Sequence, residues 1–346
     1  MMLMSQIKLD KIQMQAVKHA AGPVLVLGGA GSGKTTVLTN RIAYLVKNGG
    51  VKPENVLTLA FTNKEATKLS ENLTDLLGKK AEKVTVCTLK QLCVNILRNN
   101  IEDLGYNANF TIYDSDDKKR VIKECMNELN INEQKILPRT IYDFITDSKN
   151  NYVSCDEAVE AAVEKDDKKI AKCYELYEEK LINNNTIDED DIIFKTVLLM
   201  DVNPKVLKAC QKEFEHILVD EYQDVRTIEH ILINKIADKS KNLFAVGNDD
   251  EGILKWKGAD VSYLTDFKAN YKKADIITLP QNYRMSKNLM DLSEAVIKNN
   301  TIRIEKDMTT ANDDGNSTVI YSAYDEREEA GYITDKISAK AGQFSR

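Results

Sequence analysis

The sequence has no long apolar run, no paired-cysteine motif and no excess of positive charge. None of its apolar stretches approaches the length of a membrane span, and residues 1–10 lack the apolar core of a signal peptide. Its six cysteines are scattered without a C-x-x-C pair, so we predict reduced, mostly buried thiols in a cytoplasmic protein. With 54 acidic and 48 basic residues the net charge is −6, so a nucleic-acid site would have to be a local basic groove.

The chain does contain a glycine-rich segment between an apolar run and a helical pattern. Residues 28–35 read G-G-A-G-S-G-K-T, after the apolar run 24–27 and before helical spacing over 36–47. This strand–loop–helix order is the context of a phosphate-binding loop, in which glycines let several amide groups and a helix N-terminus face one phosphate. The alternative is a glycine turn that binds nothing. The expected phosphate-binding residues are Gly29, Ala30, Gly31, Ser32, Gly33, Lys34, Thr35 and Thr36.

Residue types within this loop predict distinct roles. Lys34 would place its ammonium on the β- and γ-phosphates, and Thr35 would offer its hydroxyl to Mg²⁺. Asp220 and Glu221 follow the apolar segment 214–219, where an aspartate can hold Mg²⁺ and a glutamate can activate water. The alternative for this pair is an acidic strand end in solvent. Together with the loop, the pair predicts ATP hydrolysis rather than binding alone.

Strand and helix patterns alternate in the first and last parts of the chain, which predicts a parallel sheet covered by helices. Between residues 115 and 212 we find no strand pattern and predict an inserted helical domain. A final strand over 318–321 and a helix over 325–339 are predicted near the end. The expected domains are a discontinuous ATP-binding domain of residues 1–112 and 213–279, a helical insertion of residues 113–212, and the start of a second domain in residues 280–346.

Several segments, in order, resemble superfamily 1 DNA helicases of the UvrD, Rep and PcrA type. The segment Asp220 to Asp224 reads D-E-Y-Q-D and matches one motif of this family, and the glycine-rich loop Gly28 to Thr35 upstream of it matches another. The remaining matching segments are Gln13 with Ala16-Val17, Arg41 to Leu45, Ala60 to Lys64, Val246 to Asp250 with Trp256 to Ala259, and Gln281 to Arg284.

The resemblance implies a RecA-like P-loop NTPase sheet, an inserted helical domain and an incomplete second RecA-like domain. It implies an ATP-driven, Mg²⁺-dependent motor that moves 3′-to-5′ on single-stranded DNA as a monomer. On the nucleotide, Gln13 would read adenine, Tyr283 would stack on it, and Arg284 would reach the γ-phosphate as an arginine finger. Arg41 and the residue at 251 are also expected at the nucleotide.

The same resemblance implies a DNA-binding surface. Phe61 and Trp256 are candidate stacking platforms for bases, because every base has a face that an aromatic ring can cover. The alternative for both rings is core packing. The expected DNA-binding residues are Phe61, Thr62, Asn63, Thr88, Trp256 and Lys257.

The sequence departs from the family pattern at a few positions. Glu251 stands where the family has a glutamine that senses the γ-phosphate, and Leu254 stands where it has an aromatic residue. A carboxylate at 251 would repel phosphate unless it is paired or protonated. These departures leave open a second function, a nucleotide-gated DNA-binding or regulatory module that does not unwind. We also expect the chain to be the N-terminal part of a longer helicase, or else a natural short relative, and to turn over ATP slowly by itself.

Overall fold

The computed structural model describes residues 8–301 and 303–344, with side chains as far as residue 341. The predicted domain limits at residues 1 and 346 lie outside the described residues. Within the described part of the chain, no helix has both the length and the apolar composition needed to cross a membrane. All six cysteines are unpaired thiols, and four of them are buried.

Ten strands are present in the described ranges. They are β1 Val24–Gly28, β2 Val56–Ala60, β3 Thr85–Thr88, β4 Thr111–Tyr113, β5 Thr186–Asp188, β6 His216–Val219, β7 Leu243–Gly247, β8 Asp275–Leu279, β9 Gln281–Asn282 and β10 Thr309–Thr310.

Fifteen α-helices accompany these strands in the same ranges. They are α1 Lys11–Val17, α2 Lys34–Lys47, α3 Asn63–Leu77, α4 Leu89–Asn100, α5 Ser115–Glu128, α6 Pro138–Asn150, α7 Cys155–Ala161, α8 Lys165–Asn183, α9 Asp191–Val202, α10 Pro204–Glu213, α11 Thr227–Ala237, α12 Ser262–Thr265, α13 Phe267–Asn270, α14 Lys287–Ile297 and α15 Glu326–Phe344.

The main sheet has six parallel strands in the order β3-β2-β6-β7-β1-β8. Along β1, Leu25 and Leu27 join an apolar cluster with α4, α9 and α11, whereas Val24 and Val26 join a second cluster with α1, α2 and α3. Helices therefore cover both faces of the sheet, which confirms the predicted α/β class. Because the strands are parallel, the segments that follow them meet at one edge, called here the carboxyl edge.

Helices α5 to α10 lie between β4 and β6 in the chain. The prediction of no strand between residues 115 and 212 is wrong at one place, because β5 pairs in parallel with β4. A buried strand of three residues is too short to give a periodic pattern. Local sequence fixes two of the helix starts here: Ser154 caps α7 through a capping box with Glu157, and Pro204 is the first residue of α10.

A buried ionic network holds this helical segment together. The ammonium of Lys149, which is fully buried, lies 2.7 Å from Glu178, 3.0 Å from Asp188 and 2.8 Å from Asp191. Burial alone would lower the pKa of Lys149, but these carboxylates raise it well above its usual value. The network joins α6, α8, β5 and α9, and α9 packs in turn against α4 and α11 of the main domain. The helical segment is therefore anchored to the main domain through α9.

The segment after β8 forms the small parallel pair β9–β10 and the helices α14 and α15. The predicted helix over 325–339 is present as α15. The predicted strand over 318–321 is wrong, because these residues pair with no strand in the described ranges. Val319 and Ile320 are 76% and 92% exposed. A short apolar run does not form a strand where no neighbouring strand supplies hydrogen bonds.

Candidate ATP and DNA site

The phosphate-binding loop joins β1 to α2 at the carboxyl edge. Gly33 is the N-cap of α2 and has a left-handed φ of 87°, and Gly31 has a φ of 83°. A Cβ atom at Gly31 would lie 2.6 Å from Cβ of Arg284, and one at Gly33 would lie 2.7 Å from Nε2 of Gln13. Glycine is therefore required at both positions by backbone conformation and by close neighbours.

Lys34 is the first residue of α2 and only 9% exposed. Its ammonium donates a hydrogen bond to the Gly28 carbonyl at 2.8 Å and lies 3.4 Å from Oε2 of Glu251. The neighbouring Thr35 is exposed, with its hydroxyl hydrogen-bonded to nothing among the described residues. The loop therefore carries an ammonium and a hydroxyl on consecutive residues, at a helix N-terminus that favours anions.

Asp220 and Glu221 follow β6, which is two strands away from β1 in the sheet, and lie at the same carboxyl edge as this loop. Asp220 is buried without an ion pair in the described ranges, and burial, followed by the charge of Glu221, raises its pKa to about 7. A buried carboxylate without a cation is costly, and a bound cation removes that cost. Carboxylate and hydroxyl oxygens are ligands that Mg²⁺ accepts, so Asp220 and Thr35 fit a magnesium site.

Gln223 is a residue of this site that the sequence reasoning missed. It is buried, and its Nε2 donates to Oε2 of Glu221 at 2.7 Å. Its Oε1 accepts from the backbone amide of Asn248 at 3.0 Å. Gln223 thereby orients the Glu221 carboxylate and ties the end of β6 to the end of β7. Its place in the D-E-Y-Q-D segment was the only available signal.

Asn282 is a second missed residue. Its Nδ2 donates to the Ala30 carbonyl at 2.8 Å, and its Oδ1 accepts from the backbone amide of Arg284 at 2.8 Å. The amide of Tyr283 donates to the Gly31 carbonyl at 2.9 Å. The phosphate-binding loop itself therefore positions the backbone of Arg284. The guanidinium of Arg284 is exposed and makes no hydrogen bond to the described residues.

The residues expected at adenine gather at the start of α1. The Tyr283 hydroxyl donates to Oδ2 of Asp10 at 2.6 Å, and partial burial together with Asp10 raises the pKa of Tyr283 to about 12. The ring of Tyr283 is half exposed. Gln13 is buried and donates through Nε2 to the Ser32 carbonyl at 3.0 Å. The adenine roles of Gln13 and Tyr283 stay predictions, but both side chains lie against the loop.

The structure corrects the expectation for Arg41. This residue is buried, and its guanidinium donates to the carbonyls of Val17 at 2.9 Å and His19 at 2.6 Å. It also borders a small cavity with Val24 and His216, which begin β1 and β6. Arg41 therefore lies at the amino edge of the sheet, opposite the phosphate-binding loop. Its position on α2 suggested the nucleotide, but it lies two helical turns beyond Lys34.

The turn after β7 is held by the segment that precedes β10. Arg303 binds both carboxylate oxygens of Asp250, at 2.9 and 3.0 Å. The ammonium of Lys306 contacts Asp249 and Asp250, and the Ile304 amide donates to Asp249 at 2.6 Å. We call this group the 249–306 clasp. Residue pairs so distant in the chain give no local sequence signal. The clasp ties the beginning of the second domain to the turn that carries Glu251.

A cavity of about 810 Å³ opens at the carboxyl edge beyond β2, β3 and β6. Phe61 and Trp256 are 45% and 77% exposed, which excludes core packing for both rings. The Lys257 ammonium lies 4.9 Å above the Trp256 ring. Five of the six residues expected to bind DNA line the cavity together with Asp220 and Glu221, and Trp256 does not; the five are Phe61, Thr62, Asn63, Thr88 and Lys257.

Comparisons with known proteins agree with this geometry. A family profile described as UvrD/REP helicase N-terminal domain matches residues 9–272, and one described as UvrD-like helicase C-terminal domain matches residues 277–345. The chain is 39% identical over 329 residues to the ATP-dependent DNA helicase PcrA of Bacillus subtilis, covering 95% of this chain and 44% of that protein. It is 40% identical over 325 residues to PcrA of Staphylococcus aureus, covering 94% and 44% respectively. The chain thus spans less than half the length of these relatives.

Proposed function

Because the chain belongs to the UvrD/REP helicase family, we propose that it is the part of an ATP-dependent DNA helicase that binds Mg-ATP and single-stranded DNA. The observation that carries this proposal is the shared cavity. Residues expected to bind DNA and the acidic pair expected to act on ATP line the same space. DNA bound there would contact the surroundings of Glu221 directly. The cavity is therefore a physical route by which DNA changes the rate of hydrolysis.

The nucleotide half of the proposal assigns one step to each side chain. Lys34 holds the β- and γ-phosphates, Glu221 takes a proton from the attacking water, and Arg284 stabilises charge on the γ-phosphate. Thr35 and Asp220 hold Mg²⁺. When bound, that ion neutralises charge that develops on the phosphates. Gln223 keeps the Glu221 carboxylate oriented through its 2.7 Å hydrogen bond.

The DNA half of the proposal rests on exposed rings and cations. Phe61 and Trp256 offer faces on which bases stack, and Lys257 offers a charge to the backbone. The chain is acidic overall, so binding depends on this local set rather than on net charge. The 3′-to-5′ direction and a monomeric state are supported by the family resemblance.

A second function is favoured by one contact. Glu251 pairs with Lys34, so the phosphate-binding cation is partly neutralised before any nucleotide arrives. A protein of this kind acts as a nucleotide-gated DNA-binding module if hydrolysis stays slow with DNA bound.

Adding single-stranded DNA distinguishes the two functions. We expect an oligothymidylate to raise the steady-state turnover of saturating Mg-ATP by about tenfold or more, equivalent to about 1.4 kcal/mol of activation free energy. Phe61→Ala should raise the DNA concentration needed for half-maximal stimulation of turnover, because base stacking contributes about 1–3 kcal/mol to DNA binding. Binding of both ligands without any rise in turnover would support the gated module. A chain that binds neither ligand would contradict both functions.

A further inference from the structure

Glu251 contacts the phosphate-binding lysine from outside the loop. Its Oε2 lies 3.4 Å from the ammonium of Lys34, which also donates a 2.8 Å hydrogen bond to the Gly28 carbonyl. The Glu251 side chain is about one-third exposed, whereas that of Lys34 is 9% exposed. The carboxylate is therefore at the solvent-facing side of the cation, where an incoming phosphate must approach.

The turn that carries Glu251 is fixed from behind. The backbone amide of Glu251 donates to the Asn248 carbonyl at 3.0 Å, and the two residues before Glu251 belong to the 249–306 clasp. Because Arg303 and Lys306 hold those two aspartates, the turn cannot swing away freely. Glu251 therefore remains near Lys34 unless its side chain rotates or the clasp moves.

A carboxylate in this place affects nucleotides unequally. A terminal γ-phosphate brings further negative charge to the outer side of Lys34, where it meets the charge of Glu251 at short range. A diphosphate has no such group, so Glu251 can keep its contact with Lys34 while the β-phosphate lies in the loop. The free energy needed to displace the Glu251 carboxylate from Lys34 therefore weakens binding of the triphosphate and not that of the diphosphate.

We propose that Glu251 is a specificity-determining residue that shifts the nucleotide preference of this site from triphosphate towards diphosphate. It is a resident anion on Lys34 that ATP displaces and ADP leaves in place. The inference rests on the proposed function, because it requires that the loop binds adenine nucleotides.

Calorimetric titration of the chain with two ligands tests this assignment. The ligands are Mg-ADP and the magnesium complex of the β,γ-imido analogue of ATP. Glu251→Gln and Glu251→Ala should each tighten binding of the triphosphate analogue by about tenfold and that of ADP by less than about threefold. The control is Glu65→Gln, which removes a charge that also acts on Asp220 but keeps the α3 cap and does not touch Lys34. Its affinity ratio for the two ligands should equal that of the wild type.

The pair of variants separates charge from new contacts. If only Glu251→Gln tightens triphosphate binding, an added amide contact is the cause and the proposal is overturned. Equal tightening of both ligands, or no change in either variant, also overturns it. If the wild type binds neither ligand, the proposed function itself fails, which is a distinct result from an unchanged ratio in a chain that binds both.

Discussion

Replacing Arg284 with alanine is expected to slow ATP turnover by roughly 10³–10⁵-fold, the range for loss of an arginine finger. Asn282 fixes the backbone of this residue, and Cβ of Arg284 lies beside Gly31 of the phosphate-binding loop. We therefore expect the exposed guanidinium to reach the γ-phosphate from a fixed backbone position. Since its main contact forms as charge develops on the γ-phosphate, Mg-ATP affinity should change much less than the rate.

Single-turnover hydrolysis at saturating Mg-ATP, with single-stranded DNA present, measures this effect. Arg284→Lys provides a second variant that retains the charge but loses the two-pronged geometry of the guanidinium. We expect it to fall between wild type and Arg284→Ala. Turnover of Arg284→Ala within about tenfold of wild type would show that the γ-phosphate lies beyond the reach of this side chain.

Replacing Glu221 with glutamine is expected to lower turnover by about 10²–10⁴-fold, the usual contribution of a general base. The change keeps the shape and the position next to Gln223 but removes the group that takes the proton. Mg-ATP affinity should stay within about threefold of wild type, since Lys34, Thr35 and Asp220 are unchanged.

The matched control for this variant is again Glu65→Gln, which removes a carboxylate at the same edge of the sheet without removing the base. Measuring the hydrolysis rate and nucleotide affinity of both variants separates a chemical role from a general change in charge. If Glu221→Gln turns over ATP at the wild-type rate, another group must activate the water.

The parts of the site that follow strands directly could be predicted from sequence. The apolar run 24–27 and the glycine pattern after it define a strand–loop–helix unit, and the structure has β1 and α2 there. Asp220 and Glu221 could be placed at the same edge because parallel strands bring their carboxyl ends together. Local sequence pattern was therefore sufficient to place the functional residues that directly follow a strand.

Pairs between distant segments could not be predicted from local sequence pattern, and only the family resemblance placed residue 251 at the nucleotide. The contacts of Lys34 with Glu251, of Asn282 with Ala30 and of Arg303 with Asp250 join residues 53 to 252 positions apart. Such pairing depends on how strands are ordered in the sheet, which no short window of sequence records. The error at residues 318–321 has the converse cause, because a short apolar run was present but no strand of the described residues lies beside it.

Nucleotide binding by the wild type and by Lys34→Ala tests the central claim most directly. We predict that titration of Mg-ADP shows one site in the wild type and binding at least about a hundredfold weaker in Lys34→Ala, because a charge-assisted contact to phosphate is lost. Lys47→Ala, at the exposed far end of the same helix, should bind as the wild type does. Unchanged affinity in Lys34→Ala, with the fold intact by circular dichroism, would contradict the assignment of residues 28–35 as the phosphate-binding loop.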